Sequence, residues 1–102
     1  MAKAIALYNP PADAAAFDRY YTASHVPIAK RMPGLRSYTV SDGAIATPAG
    51  PAPYHLVAIL EFDSMAAIGA ALSSPEGQAT VADLGNFATG GVTVLMFDDK
   101  AI

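Results

Sequence analysis

The strands that this sequence encodes are apolar on both faces. This property limits the chain to folds in which both faces of the sheet are covered. Side chains alternate between the two faces of a strand, so the positions of the clearest strand, Tyr54–Phe62, divide into two sets. One face carries Leu56 and Leu60, and the other carries Val57 and Ile59. A strand with one face in water would alternate apolar and polar residues instead. The pattern therefore predicts a sheet that needs an apolar cover on each side.

Four strands and two helical regions follow one another along the chain. Asp13, Ser64 and Ser74 belong to the residue types that cap helix N-termini, and Pro75 favours a first helical position. The predicted order is strand, helix, strand, strand, helix, strand, with two consecutive helices in the second helical region. We expect these elements at Lys3–Tyr8, Asp13–Ser24, Leu35–Ser41, Tyr54–Phe62, Ser64–Phe87 and Val92–Asp98.

This order is that of a split βαβ, ferredoxin-like fold of the α+β class. It predicts one βαββαβ domain over residues 1–102, with a four-stranded antiparallel sheet and its helices on one face. The last helical segment should turn Val81, Leu84 and Phe87 towards the core.

The connection between the two central strands, residues 42–53, is rich in Gly, Pro and Ala, and we expect it to be long and mobile. If this hairpin is symmetric about its middle, Arg36 lies opposite Glu61 and Tyr38 lies opposite Ile59. An Arg–Glu pair across two strands is usually structural. Inside a dimer cavity, the same pair would instead anchor a ligand oxygen.

Helices on one face of a four-stranded sheet leave the other face bare. One of the two apolar sets comprises Ile5, Leu7, Val57, Ile59, Leu95 and Phe97. Covering these side chains is worth on the order of 10 kcal/mol, and a small domain rarely leaves such a patch in water. We therefore expect a symmetric homodimer formed through the sheet, with a cavity between the sheets. The sequence does not decide which face meets the helices.

Composition and charge exclude several classes of protein. The chain has no Cys, which rules out disulfide frameworks, thiol catalysis and iron–sulfur ligation. A net charge of −3 with only six Lys and Arg residues argues against nucleic acid and anionic membranes as partners. No apolar run is long enough to span a membrane or form a signal peptide, so we expect a cytoplasmic protein. Metal-ligand spacings, phosphate loops and dinucleotide motifs are absent, so we expect no metal and no cofactor.

A histidine at a helix end is the strongest candidate for chemistry. His25 follows Tyr21 by one helical turn, and Pro27 should break or kink the helix just after it. Beside an aromatic ring, a half-buried imidazole can have a pKa near neutrality and act as a general acid or base. Alternatively, its ring bonds a free carbonyl at the helix end and is purely structural. Asp83 would orient the imidazole if the two residues meet; otherwise it is a solvated acid at a helix terminus.

Six short segments, in an order that spans nearly the whole chain, match a known pattern. They are Phe17–Tyr21, His25-x-Pro27, Met32–Leu35 with Tyr38, Leu60–Ser64, Ser74–Gly77 and Asp83–Phe87. Together they resemble the EthD family of the dimeric α/β-barrel superfamily. The resemblance implies a ferredoxin-like protomer, a homodimer joined sheet to sheet, and a cavity in each protomer. Members of the family are linked to bacterial breakdown of ethers such as ethyl tert-butyl ether and are loosely associated with oxidoreductases.

The resemblance also brings related activities into consideration. The superfamily contains cofactor-free monooxygenases, muconolactone-type isomerases, polyketide cyclases and haem-binding enzymes. Many of the cofactor-free monooxygenases carry Trp, which this chain lacks, and nothing in the sequence supports haem binding through His25. Fold analogy alone does not fix the reaction.

From the residues and the resemblance together, we expect an enzyme or accessory protein that needs no cofactor. It would act in the catabolism of a small apolar or aromatic, oxygen-bearing metabolite, with His25 as general acid or base and Asp83 as its catalytic partner. The residues expected to contact the ligand are Tyr21, Tyr38, Asn86 and Phe87. Two alternatives stay open: a non-catalytic dimeric ligand-binding or stress-response module in which His25 is structural, and an isomerase or cyclase of the muconolactone or polyketide type.

Overall fold

Twelve elements make up the fold in the computed structural model, which describes residues 1–102. Strands are β1 (Ala2–Tyr8), β2 (Ser37–Val40), β3 (Ala46–Thr47), β4 (Gly50–Pro51), β5 (Leu56–Phe62) and β6 (Val92–Asp98). Helices are α1 (Ala14–Tyr20), α2 (Val26–Ala29), α3 (Met65–Ser73) and α4 (Pro75–Asp83), with a π-helical turn at Tyr21–His25 and a 3₁₀ turn at Leu84–Asn86. The main sheet is antiparallel with strand order β2-β5-β1-β6, and β3 pairs with β4 in a separate ribbon. The predicted ferredoxin-like α+β fold is confirmed.

Three side-chain caps start the helices where the sequence predicts. The Asp13 carboxylate accepts a hydrogen bond from the backbone N–H of Ala16, and the Ser64 hydroxyl accepts one from Ala67. The Ser74 hydroxyl does the same for α4 by accepting from Gly77. Each cap satisfies one of the backbone donors that a helix N-terminus leaves free.

Of the predicted break or kink at Pro27, the structure shows no break but a π-helical turn just before the proline. The first helical region continues from Ala14 to Ala29, because the turn between α1 and α2 widens to a π-helix in which the Val26 N–H donates to the Tyr21 carbonyl. A proline in an α-helix lacks the N–H and presses its ring against the carbonyl four residues earlier. The wider turn relieves both problems. It also leaves Tyr21 and His25 buried on the same face of the helix.

The helices cover one face of the main sheet and leave the other bare. Buried residues on the covered face include Ala58, Leu60 and Phe62 of β5. On the other face, the strand register places Ile5 between Ile59 and Leu95. No element of the chain packs over that second set, and Leu95 is 48% exposed. The bare face therefore carries the six apolar residues singled out from the sequence.

Tyr38 lies on the covered face, not opposite Ile59 as a symmetric hairpin would require. The ribbon is symmetric, with Thr47 paired with Gly50, but in the main sheet Tyr38 pairs with Leu60. One additional residue between the ribbon and β5 produces this offset, and a one-residue shift moves a side chain to the other face. The predicted Arg36–Glu61 side-chain pair is also wrong. The Arg36 guanidinium instead bonds both carboxylate oxygens of Asp63, at 3.0 and 2.9 Å on the exposed surface.

Helix α4 is rotated relative to the predicted orientation. Val81 is 53% exposed, whereas Thr80 and Asp83 are buried. Phe87 is buried as expected, and Leu84 is half-buried. The rotation follows from Gly77, which packs directly on the backbone of α3 and fixes the face of α4 that turns inward.

The Gly77 contact predicts opposite effects for two glycine-to-alanine changes. A Cβ on Gly77 would lie 2.7 Å from the Ala71 carbonyl carbon and the Leu72 Cα, so Gly77→Ala should reduce the free energy of unfolding by about 1–3 kcal/mol. A Cβ on Gly69 meets nothing within 4 Å, so Gly69→Ala in α3 should raise it by about 0.5–1 kcal/mol. Urea denaturation of both variants measures the difference. Equal effects of the two changes would contradict the close contact.

Candidate functional site

A small cavity of about 90 Å³ lies between the sheet and the helices. Its sheet side is formed by small residues, among them Ala4, Ala6 and Ala58, and its helix side includes Tyr21 and His25. The alanines leave space because their side chains end at Cβ while larger neighbours hold the layers apart. The cavity is therefore apolar apart from a few polar atoms.

The imidazole of His25 is bonded to a carboxylate from the far end of the chain. Its Nδ1 atom lies 2.8 Å from Oδ2 of Asp83, and both residues are almost fully buried, at 3% and 6% exposure. His25 ends the π-helical turn and Asp83 ends α4, so the bond joins the two helical regions. The two predicted catalytic residues thus meet, and Asp83 is not a solvated acid.

Asp83 is held as a carboxylate by three hydrogen-bond donors. The Tyr20 hydroxyl lies 2.6 Å from Oδ1, the Asn86 amide nitrogen lies 3.0 Å from the same oxygen, and His25 bonds the other oxygen. Burial by itself raises the pKa of Asp83, but these three hydrogen bonds outweigh it and place the pKa below its usual value. Asp83 is therefore ionised at neutral pH.

His25 is neutral at the same pH, and its hydrogen is on Nδ1. Burial lowers the pKa of His25 below its ordinary value, and this effect exceeds the opposing hydrogen bond and charge of Asp83. Because an ionised carboxylate only accepts hydrogen bonds, Nδ1 must be the donor, and Nε2 keeps its lone pair. Every fully enclosed side-chain N or O atom has a hydrogen-bond partner, whereas Nε2 has none. Nε2 therefore reaches open space, and the space that His25 lines is the cavity.

Hydroxyl groups are the other polar groups of the residues that line the cavity, and two of them, on Tyr21 and Tyr38, are bonded to each other. The Tyr21 and Tyr38 oxygens lie 2.5 Å apart, and both residues line the cavity. Burial raises the pKa of each of these tyrosines, so both remain protonated at neutral pH. The hydroxyl of Tyr8, which also lines the cavity, interacts with that of Tyr21. Three hydroxyls therefore share two interactions, which leaves one hydrogen available to an acceptor in the cavity.

Aromatic rings pack against the imidazole of His25 and fix the orientation of its plane. The Phe87 ring centroid lies 4.6 Å from that of His25, and the Tyr21 centroid lies 5.3 Å away. Phe87 also stacks on Tyr20 at 5.5 Å. These contacts restrict rotation of the imidazole, so Nδ1 stays on Asp83 and Nε2 stays towards the cavity.

The structure divides the four expected ligand contacts into two pairs. Tyr21 and Tyr38 line the cavity, whereas Asn86 and Phe87 do not. Asn86 bonds Asp83 from the exposed side, and Phe87 packs against His25, so both support the histidine–aspartate pair. Sequence reasoning missed Tyr20 as a partner of Asp83. The position of Tyr20 among the apolar residues of the first helix was visible in the sequence. The rotation of α4 that brings Asp83 to it was not.

The remaining features of the fold bear on other classes of site. No group of three or more His, Asp or Glu side chains is close enough to bind a metal ion. None of the helices combines the length and the apolar character needed to cross a bilayer. A second, larger groove of about 510 Å³ runs between α1 and residues 40–45, and it contains neither His25 nor Asp83.

Comparison with known proteins places the chain in context. Residues 9–91 match the family model described as the EthD domain. A protein of Rhodococcus erythropolis, described as an uncharacterized 11.0 kDa protein in the thcB-thcC intergenic region, is 43% identical over 98 residues, or 94% of this chain and 92% of that protein. The crystal structure of an ethyl tert-butyl ether D (EthD) family protein from Bacillus halodurans superposes with a TM-score of 0.88 and 31% identity, over 98% of this chain and 99% of that one.

More distant solved structures share the fold alone. SnoaB, a cofactor-independent oxygenase from Streptomyces nogalater, has a TM-score of 0.68 at 17% identity, over 99% of this chain and 94% of that one. A dimeric ferredoxin-like protein of unknown function from Thermobifida fusca has a TM-score of 0.67 at 15% identity, over 94% and 88%.

The buried pair predicts a loss of stability in acid. Folding holds the pKa of His25 below its unfolded value of 6.5, so the stabilisation is complete above that pH and is lost as pH falls through the folded pKa. The slope cannot exceed about 1.4 kcal/mol per pH unit for one proton. The free energy of unfolding, measured by urea denaturation, should fall between pH 7 and pH 5 in the natural protein and in His55→Gln. His25→Gln should flatten this pH dependence, and an unchanged slope in that variant would contradict the assignment.

Proposed function

The chain belongs to the EthD family, and from the geometry of its buried histidine we propose that it moves a proton on an uncharged, oxygen-bearing metabolite without a cofactor. His25 is the general base, and Asp83 orients it and balances the charge that it gains. The observation that carries the proposal is the free Nε2 atom of a neutral, fixed imidazole at an apolar cavity.

The groups at the cavity suit abstraction of a proton next to a carbonyl group. His25 Nε2 takes the proton from the neighbouring carbon, the C–H electron pair forms a C=C bond, and the carbonyl π pair moves to oxygen. The free hydroxyl hydrogen of the cavity tyrosines donates to that oxygen as its charge grows. The imidazolium that forms is stabilised by the Asp83 carboxylate, and its Nε2–H then returns the proton to the ligand.

The enolate made in this way accounts for several activities of the superfamily. Return of the proton to a different carbon gives an isomerase, and attack of the enolate on a second carbonyl gives a cyclase. Transfer of an electron from the enolate to O₂ begins a cofactor-independent oxygenation, the activity for which SnoaB is named. The oxidoreductase association and the link to ether breakdown rest on the family alone. The proton transfer is the step that this chain's own residues support.

Deuterium exchange tests the proposal directly. In D₂O, the protein should catalyse exchange of the α-protons of 4-phenyl-2-butanone, followed by ¹H NMR. His25→Gln should reduce the rate by about 10²–10⁴-fold, because a general base contributes that much. Lys30→Gln, at an exposed position that lines neither the cavity nor the larger groove, is the control and should retain the rate, with melting curves confirming that both variants fold. Equal exchange in His25→Gln would contradict the proposal and favour a non-catalytic binding module.

We also propose that the protein is a homodimer joined through the bare face of the sheet. That face carries six apolar side chains with no cover from the chain itself, and Leu95 and Phe97 are 48% and 40% exposed. A symmetric pairing would bury the same patch on both copies. The dimeric ferredoxin-like protein of Thermobifida fusca shows that this fold occurs as a dimer.

A charge placed at the centre of the bare face should separate the copies. Ile59 lies between Ile5 and Thr39 in the strand register, so Ile59→Lys would place an ammonium group in the middle of the interface. Sedimentation should show a dimer for the natural protein and a monomer for this variant. Ala79→Lys, on the exposed side of α4, is the control and should remain a dimer. A natural protein that sediments as a monomer at micromolar concentration would refute the dimer.

A further inference from the structure

Tyr21 lines both the inner cavity and the larger groove. We propose that these two spaces are parts of one binding site, which takes an elongated, uncharged molecule. Its small carbonyl end lies at His25 and its flat, apolar body lies in the outer groove. This inference rests on the proposed proton transfer and adds the size, shape and charge of the molecule that undergoes it.

The inner cavity is too small to hold a typical ligand alone. Ligand pockets usually measure several hundred Å³, and an engineered cavity of about 150 Å³ is known to take one benzene ring. At about 90 Å³, this cavity accommodates a group of a few heavy atoms, such as a methyl ketone. The rest of any larger ligand must lie outside it.

The outer groove has the size and the walls for that remainder. It measures about 510 Å³, and Tyr21 is the lining residue that it shares with the inner cavity. Aromatic rings of Phe17, Tyr54 and His55 border it, and Ile45 borders it from the segment between β2 and β3. Flat aromatic surfaces favour stacking with a planar ring system.

Contacts between His55 and α1 fix one wall of this groove. The His55 ring packs edge-on against Phe17 with centroids 4.8 Å apart, and its Nε2 lies 2.8 Å from Oδ1 of Asp18. His55 therefore faces α1 on the covered side of the sheet. The wall that it forms is held in place before any ligand binds.

Charge excludes anionic ligands from the joint site. Neither space is lined by Lys or Arg. Asp18, at the groove, is the one acidic residue that lines either of them. A carboxylate or phosphate would lose its hydration there without gaining a cationic partner. An uncharged ketone or phenol loses far less.

Three probes that share one skeleton separate the contributions. 2-Butanone carries only the small ketone end, 4-phenyl-2-butanone adds a ring for the groove, and 3-phenylpropanoate replaces the ketone by a carboxylate. In NMR titrations, 4-phenyl-2-butanone should bind at least tenfold more tightly than either of the other two. Ile45→Trp, which fills the groove, should remove that gain. Ile102→Trp, at the exposed C-terminal end, is the matched control and should keep it.

Two outcomes separate this inference from the function on which it rests. If α-proton exchange depends on His25 but the phenyl ring adds no affinity, or Ile45→Trp leaves the affinity unchanged, the joint site is wrong and the proton transfer stands. If the ring adds affinity that Ile45→Trp removes, but exchange does not depend on His25, the joint site stands as a binding site and the proton transfer is wrong.

Discussion

The hydrogen bond between His25 and Asp83 is the interaction on which the proposed site depends. It joins the end of the π-helical turn to the end of α4 across 58 positions of sequence, inside a layer that excludes water. A buried carboxylate that loses its partner is costly, commonly by about 3–5 kcal/mol. The two additional donors, Tyr20 and Asn86, keep the carboxylate ionised and in place. An imidazole bonded to a fixed carboxylate has a single favoured tautomer, and the direction of its free lone pair follows from that.

Small side chains in the same region leave space for a ligand. Alanines at positions 4, 6 and 58 line the sheet side of the cavity, and the sheet there is apolar without being filled. Tyr21 from the helical layer and Tyr38 from β2 add two hydroxyls that remain protonated because they are buried. The polar groups at the cavity include one acceptor, His25 Nε2, and one available hydroxyl donor. That pair can stabilise both ends of a proton transfer next to a carbonyl, while the surroundings offer nothing to a charged ligand.

Much of this could be predicted from the sequence, and the failures have physical causes. Caps, strand patterns and the two-sided apolar character are local properties, so the element order and the existence of a bare apolar face were predictable, whereas the choice of the face that meets the helices was not. The course of the helix through Pro27 was not, because a π-helical turn depends on how the surrounding layers hold the chain. A symmetric hairpin would pair Tyr38 with Ile59 rather than with Leu60, because one extra residue in the long hairpin reverses the alternation. Asp83 and Val81 depend on the rotation of α4, which the contact at Gly77 sets and no periodicity reveals.

The protonation state of the His25 ring is the most direct test of this account. Long-range ¹H–¹⁵N NMR spectra of uniformly labelled protein distinguish the two neutral tautomers and the imidazolium by their nitrogen shifts. At pH 7, we expect a neutral ring with hydrogen on Nδ1 and an unprotonated Nε2. An imidazolium at that pH, or a neutral ring with its hydrogen on Nε2, would contradict the account, because neither form leaves a base at the cavity.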